Sequence, residues 1–221
     1  MLKKIIAEDA DKVLYETDNE EEILCKFTED VVDSRGHVKG TVKNKASING
    51  AIAAHIFKLL AGYHVPTCLK NQKSAKELLL KKAEVIPVLI SVTNETTDDG
   101  ITTPEFRYDL LTNGSKKIIT AEEIVASEIM IQEEFADMRR LALKINVVLD
   151  NFFRRRKFEL LGFSVQFGYI NGKIAVCSPF SLDSFELKDT ESRTKFKTSF
   201  FLSHIDNAVE LYDQIYNQIM F

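Results

Sequence analysis

The sequence predicts an α+β fold, because three features place strands early, a long helix later and a hairpin near the end. Residues 3–6, 12–15 and 23–27 are short apolar runs separated by acidic turns, which is typical of an antiparallel sheet. Apolar side chains recur every three or four positions over residues 131–152, which indicates a helix with one buried face. Residues 158–176 alternate around Asn171 and Gly172, and this pair favours a β-hairpin.

Other local signals place the remaining elements along the chain. A helix is expected over residues 47–60, with Ser47 as its cap and Gly62 as its stop. Thr120 and Glu123 have the spacing of a capping box. The rest of the prediction comprises a helix at 74–82, a final helix from about residue 203, strands at 38–42, 85–92 and 106–111, turns at 33–36 and 113–115, and a loop at 94–103. Pro87 is expected at a sheet edge or a strand start.

Composition narrows the class of protein. A chain of 221 residues is long enough for one large domain or two small lobes around a core. The net charge of -4 argues against general nucleic-acid binding, which depends on neutralising phosphates. No apolar run reaches the roughly 18 residues of a membrane span, and the first residues lack the pattern of a secretion signal. We therefore expect a cytoplasmic protein that binds neither nucleic acid nor membrane.

The cysteines and histidines do not predict a metal site. Cys25, Cys68 and Cys177 stand singly, which favours reduced, buried thiols over a disulfide framework or zinc. The four histidines lack metal-binding spacing. The basic run at residues 154–157 is open to two interpretations, a phosphate or nucleic-acid patch and cations at a helix C-terminus. The second is favoured because such cations stabilise the helix dipole.

Several segments resemble the SAICAR synthetases when taken together in order. They are DKVLYETD at 11–18, GTVKNKASING at 40–50, IPV at 86–88, PEF at 104–106, ALKINVVLDNFF at 142–153, FSVQFG at 163–168 and SLDS at 181–184. The similarity extends over almost the full length. It implies a two-lobed fold, with an N-terminal antiparallel β lobe and a helix at 1–87 and a larger α+β lobe carrying an active-site-like hairpin at 88–221.

The resemblance also implies an activity, the ATP-dependent joining of aspartate to the carboxylate of carboxyaminoimidazole ribotide. Five positions retain residues of the family's site, and they are the candidate cofactor-binding residues: Lys12, Lys45, Asn94, Ser181 and Asp183. Lys45 and Asp183 fit a structural ion pair equally well. The resemblance assigns no catalytic residue and no metal ligand with certainty in this chain.

Many other site positions depart from the family's pattern. The phosphate-binding turn EGKAK is Glu8-Asp9-Ala10-Asp11-Lys12 here, which places carboxylates where phosphates lie. The further departures are Leu89 for glutamate, Thr93 for arginine, Gly162, Ser164 and Gln166 for aspartate, lysine and glutamate, Ser178 and Pro179 for the Asp-Glu pair, and Glu186 for arginine. Losing three or four charged hydrogen bonds costs roughly 5 to 10 kcal/mol of binding.

Three hypotheses follow. The first is a family member that has lost the ligation and serves as a binding or regulatory module, with no cofactor expected. The alternative is an active ATP-dependent amide ligase with an altered substrate and a rearranged site, which needs ATP and magnesium. The third is a chain that works with a protein partner or as a homo-oligomer, with Tyr212, Tyr216 and Phe221 of the last helix as a possible interface.

Overall fold

The computed structural model describes residues 4–33, 36–96, 102–112 and 115–221, and these contain two large antiparallel sheets and one two-stranded sheet. The early strands are β1 (Ile5–Asp9), β2 (Lys12–Glu16), β3 (Glu22–Phe27), β4 (Asp30–Val32), β5 (Val38–Thr41), β6 (Leu69–Ser74) and β7 (Glu77–Lys81). Five of them form a sheet in the order β1-β2-β3-β7-β6, and β4 pairs with β5 separately. Helix α1 (Lys45–Gly62) contacts β3, β6 and β7 and covers this sheet.

The second sheet is larger and carries the late hairpin. Its strands are β8 (Glu84–Thr96), β9 (Thr102–Thr112), β10 (Ser115–Ile119), β11 (Phe158–Ile170), β12 (Lys173–Val176), β13 (Phe185–Asp189) and β14 (Lys195–Phe196). Their order is β10-β9-β8-β11-β13-β14, with β12 paired to the far end of β11. The central strands β8 and β11 are 13 residues each, so this sheet provides a long face on which side chains are set in register.

Four further helices complete the α+β fold. They are α2 (Ala121–Ala126), α3 (Gln132–Arg154), α4 (Thr198–Ser203) and α5 (Ala208–Met220). Helix α3 packs on β8, β11 and β12, and α5 packs on α1. The buried apolar side chains of both sheets and these helices form one continuous cluster. The two sheets agree with the predicted two-lobed α+β fold, and the division of the lobes at residue 87 stays a prediction.

Three local predictions are confirmed. Asn171 and Gly172 have φ of 51° and 70°, the left-handed conformations that a type I′ hairpin requires between β11 and β12. The Thr120 hydroxyl accepts from the Glu123 N–H at 3.2 Å, and the Glu123 carboxylate accepts from the Thr120 N–H at 2.8 Å. The predicted long helix is α3, which begins at Gln132. Short-range chemistry determines these features, so the sequence alone predicts them.

The helix predicted at 74–82 is wrong, because this segment lies in β6 and β7. Leu78, Leu79 and Leu80 are all buried, and β7 pairs with β3 on one side and β6 on the other. An internal strand that is covered on both faces carries a continuous apolar run. Such a short run cannot be distinguished from a buried helix by periodicity.

Several element boundaries also differ from the predictions. Helix α1 is capped by Asn44, with φ of 68°, and not by Ser47, and Gly62 is its last residue. Helix α5 begins at Ala208, five residues after the predicted start, because α4 and a 3₁₀ turn at Ile205–Asn207 precede it. The predicted loop at 94–103 is partly strand, since β8 and β9 pair as far as Thr96 and Thr102. Residues 97–101 of that loop, 34–35 of one predicted turn and 113–114 of the other lie outside the described residues.

Pro87 lies near the start of β8, as predicted. The pairing of β8 with β9 begins at Val88, just beyond the proline, which has no N–H to donate. Within the described ranges, no helix combines the length and the apolar character needed to cross a membrane.

Asn94 and Asn146 join β8 to α3, and we expect this contact to contribute strongly to stability. The two buried side-chain amides donate to each other at 2.9 Å, and Asn94 Nδ2 also donates to the Leu160 carbonyl at 3.0 Å. Asn94→Ala leaves the Asn146 amide unpaired, so the free energy of unfolding should fall by about 2 to 3 kcal/mol. Urea denaturation measures this change.

The matched control is Asn151→Ala, on the exposed side of α3, the helix that carries Asn146. The Asn151 amide donates only to the Val147 carbonyl within α3. This substitution should change the unfolding free energy by less than about 0.5 kcal/mol. Equal urea midpoints for the two variants would contradict a structural role for Asn94.

Candidate active site on the large sheet

A cavity of about 760 Å³ lies on the long face of the second sheet. Its floor comes from β8, β9, β11 and β13, and its walls include Ala10 of the β1–β2 turn, Val32 of β4, and Lys197 and Leu202 at either end of the α4 segment. The early strands and the late helix α4 therefore enclose a space over the sheet. A concave site of this size, bordered by several elements, is where a small ligand binds by default.

The strand register sets the polar side chains of the floor in two rows. One row crosses four strands as Glu105, Thr93, Gly162 and Glu186, which are successive cross-strand partners. The next row is Arg107, Ser91 and Ser164. Directly paired residues of antiparallel strands point to the same face, so each row lies across the cavity floor. The floor therefore combines acidic, basic and hydroxyl groups.

Lys12 is held by two carboxylates of its own turn. Its Nζ lies 2.8 Å from Asp11 Oδ1 and 3.1 Å from Asp9 Oδ2, and Lys12 is 8% exposed. Burial alone lowers the pKa of this ammonium, but the Asp11 and Asp9 carboxylates outweigh burial and raise the pKa well above its usual value. Lys12 is therefore charged at every physiological pH, and its charge is already compensated.

Lys45 forms a second buried ion pair, with Asp183. Lys45 Nζ lies 2.9 Å from Asp183 Oδ2, and the Lys45 side chain is 1% exposed. Asn49 Nδ2 donates to the same oxygen at 3.0 Å, and the Tyr212 hydroxyl donates to Oδ1 at 3.3 Å. Burial first, and then the Asp183 carboxylate, raise the pKa of Tyr212, so its hydroxyl stays protonated and able to donate.

The other two candidate residues, Ser181 and Asn94, also form hydrogen bonds within the protein. Ser181 is fully buried, and its N–H donates to the Ser184 hydroxyl at 2.9 Å across the 3₁₀ turn at Leu182–Ser184. Asn94 is bound to Asn146 and Leu160, as described above. Of the five predicted residues, the structure brings Lys45, Asp183 and Ser181 close together, and only Asp183 lines the cavity. Their role in cofactor binding stays a prediction.

Gly162 leaves a gap in the first row of the cavity floor. A Cβ at this position would lie 2.7 Å from the Val92 carbonyl oxygen, which is closer than real side chains approach a backbone atom. The register of β11 against β13 also shifts between Leu160 and Gly162. Any side chain at Gly162 therefore requires the neighbouring strand to move.

Sequence reasoning did not predict the contacts or positions of four residues in this region. Asn49 and Tyr212 bind Asp183, Asp11 binds Lys12, and Arg107 lies in the floor. Only Asn49 had a usable signal, since it lies four residues after Lys45 and so on the same helix face. The Oδ2 atom of the buried Asp11 carboxylate has no hydrogen-bond partner among the described residues. No group of three or more His, Cys, Asp or Glu side chains within the described ranges is placed to hold a metal ion.

Breaking the Lys45–Asp183 pair should destabilise the protein strongly. Lys45→Met leaves the Asp183 carboxylate in a mostly buried position without its counter-ion, which costs about 3 to 5 kcal/mol. Urea denaturation followed by far-UV circular dichroism gives the free energy of unfolding.

Lys4→Met is the matched control, since it removes a lysine from the exposed Lys4–Glu16 pair, whose side chains are 77% and 51% exposed. Its effect should stay within about 1 kcal/mol. A Lys45→Met protein as stable as the control would show that the buried pair is dispensable.

Comparison with known proteins shows which family this chain resembles. Residues 6–219 match the profile of the family described as SAICAR synthetase. The phosphoribosylaminoimidazole-succinocarboxamide synthase of Clostridium kluyveri is 27% identical over 221 aligned positions, covering 94% of each chain. That of Exiguobacterium sp. is 26% identical, covering 98% of this chain and 97% of the relative.

Solved structures agree with the fold. The phosphoribosylaminoimidazole-succinocarboxamide synthase of Ehrlichia chaffeensis superposes with a TM-score of 0.89 at 18% identity, covering 98% of both chains. A SAICAR synthetase in complex with ADP superposes with a TM-score of 0.88 at 20% identity, covering 98% of this chain and 97% of the other. At these identities the superpositions show the fold alone. Because the family profile matches nearly the whole sequence, the chain belongs to the SAICAR synthetase family.

Proposed function

We propose that this chain binds a ligand in the cavity of the large sheet but does not carry out the family's ATP-dependent ligation. The observation that supports this proposal is the state of Lys12, whose ammonium is bound by Asp9 and Asp11. A triphosphate needs unpaired cations or a magnesium ion to balance its charge. The turn that carries Lys12 supplies one cation and two carboxylates.

The charge of the turn opposes phosphates directly. Lys12 lowers the pKa of Asp9, so this carboxylate is ionised at neutral pH although burial acts in the opposite direction. The Asp9 side chain is 68% exposed, so solvent and solutes can reach its carboxylate. The turn's own side chains carry one excess negative charge, since Asp9 and Asp11 outnumber Lys12, and like charges at contact distance repel.

The cavity floor adds two more carboxylates. Glu105 and Glu186 stand at opposite ends of one row, and within the described part of the chain neither has an ion-pair partner. Lys45, the second inherited cation, is already bound to Asp183. These charges favour a ligand with fewer negative groups than a nucleoside triphosphate.

The second candidate function is an active ATP-dependent carboxylate–amine ligase with a rearranged site. The comparisons favour this candidate, because the two curated relatives described above are named as the synthase and align over 94% or more of both chains. The retained cavity is also large enough for a small substrate. ATP and magnesium would then be required, with Lys12 and Asp183 as the inherited polar contacts. The geometry favours the first candidate, and ATP binding distinguishes the two.

Under either function, we also propose that the chain binds a protein partner or a second copy of itself. The ring of Phe221 at the end of α5 is 96% exposed. Tyr212 is fully buried and bound to Asp183, so it supports the core and not an interface.

Thermal unfolding with and without ATP and magnesium tests the proposal. Under the first candidate function, the dissociation constant for ATP lies well above the ATP concentration in the experiment. A ligand at about one fifth of its dissociation constant stabilises by only about 0.1 kcal/mol, so the Tm should rise by less than about 1 °C.

A rise of about 5 °C or more, which corresponds to a concentration near 100 times the dissociation constant, would support the ligase instead. In that case the shift should be lost in Lys12→Met and kept in the surface control Lys4→Met. Because each variant is compared with itself without ATP, a change in basal stability does not affect the result. ATP-dependent release of ADP with a panel of acids and amines would then overturn the first candidate.

A further inference from the structure

We propose that Arg107, Ser91 and Ser164 form a subsite for a single anionic group, a carboxylate or a phosphate monoester. This inference rests on the proposed use of the cavity for ligand binding, and it defines the chemistry that the ligand carries. All three residues line the cavity. None of them belongs to the inherited set at Lys12, Lys45, Asn94, Ser181 and Asp183.

The three side chains are neighbours across the sheet. Ser91 pairs with Ser164 on β11 and with Arg107 on β9, so Ser91 lies in the middle of the row. The row spans about 10 Å, two strand spacings, with all side chains on one face. The two serine hydroxyls lie 3.1 Å apart and hydrogen-bond to each other. One bound oxygen can therefore accept from a serine hydroxyl while another accepts from the guanidinium.

Asp109 holds the guanidinium of Arg107 in place. Arg107 Nε and Nη2 lie 3.1 Å and 3.0 Å from Asp109 Oδ2, and the Asp109 side chain is 6% exposed. The Arg107 side chain is 61% exposed. A guanidinium has five N–H donors in a rigid plane, so binding one carboxylate oxygen leaves donors available on the cavity side. Asp109 is therefore a positioning residue for Arg107.

The surrounding charges limit what the subsite can accept. Glu105 lies two residues before Arg107 on the same strand face, and Glu186 lies across the floor. Lys197, the residue before α4, also lines the cavity and has no ion-pair partner among the described residues. One anionic group can be bound by Arg107, the serines and Lys197, but a polyphosphate would be repelled by the two glutamates. The same cavity thus disfavours triphosphates and accepts one anion.

Isothermal titration with two simple probes tests the subsite. Glycerol 3-phosphate represents a phosphate monoester, succinate represents a carboxylate, and glycerol is the uncharged control. At least one charged probe should bind at millimolar concentration and glycerol should not, and the probe that binds identifies the anion. Arg107→Met should weaken binding at least tenfold, which corresponds to the loss of a charged hydrogen bond. Ser164→Ala should weaken it severalfold, and Glu105→Gln should strengthen it because it removes a repulsive charge.

Arg140→Met is the matched control, because Arg140 is 76% exposed on α3 and pairs with Asp137 there. Wild-type binding in Arg107→Met, or equal binding of glycerol and the charged probes, would overturn the subsite, as would no binding of either anion. These outcomes are separate from the ATP test. A rise in Tm with ATP that depends on Lys12 would refute the loss of ATP binding. The titrations of the Arg107 variant would still decide separately whether the subsite exists.

Discussion

The structure depends on the Asp183 carboxylate and its three donors. Lys45 and Asn49 reach it from α1, and Tyr212 reaches it from α5, while Asp183 itself lies in the 3₁₀ turn before β13. One side chain therefore joins the helix that covers the first sheet to the second sheet and to the last helix. Burying two ions costs several kcal/mol each, and a buried pair is stable only when its remaining hydrogen-bonding atoms are satisfied. Asn49 and Tyr212 meet this condition.

The same requirement supports the proposal that the polar residues shared with the family no longer bind a nucleotide. Lys12, Lys45 and Asn94 are all buried, and each is bound by other side chains of the chain. A buried cation that is compensated by its own fold has little affinity left for a ligand, because the ligand must replace a partner already in place. Arg107 differs in one respect. Its carboxylate partner Asp109 lies two residues along the same strand, and the Arg107 side chain is 61% exposed and lines the cavity.

The sequence was sufficient wherever local chemistry decides the structure. Asn171-Gly172 specifies the hairpin, Thr120 and Glu123 specify a helix start, and the periodicity of α3 specifies its buried face. It failed at β7, where three consecutive buried leucines depend on strands contributed by other parts of the chain. The site was only partly predictable for the same reason. The family resemblance gave Lys12, Lys45 and Asp183 as candidate residues. It did not predict that Asn49 and Tyr212 bind Asp183, because these pairs join distant parts of the chain. It did not predict the Asp11–Lys12 pair either, because that pair depends on burial.

The fold shared with the family and the binding function proposed for this chain are compatible because they depend on different atoms. The strand register of the large sheet fixes where each row of side chains lies, and this register is set by backbone pairing and by the apolar face against α3. The polar face can change one residue at a time without affecting that pairing. Gly162 shows the limit of this freedom, since its backbone lies so close to Val92 that a side chain cannot be added without moving β8. A side chain at position 162 therefore has a structural cost, and under the proposed function the ligand is bound by the side chains already present on the floor.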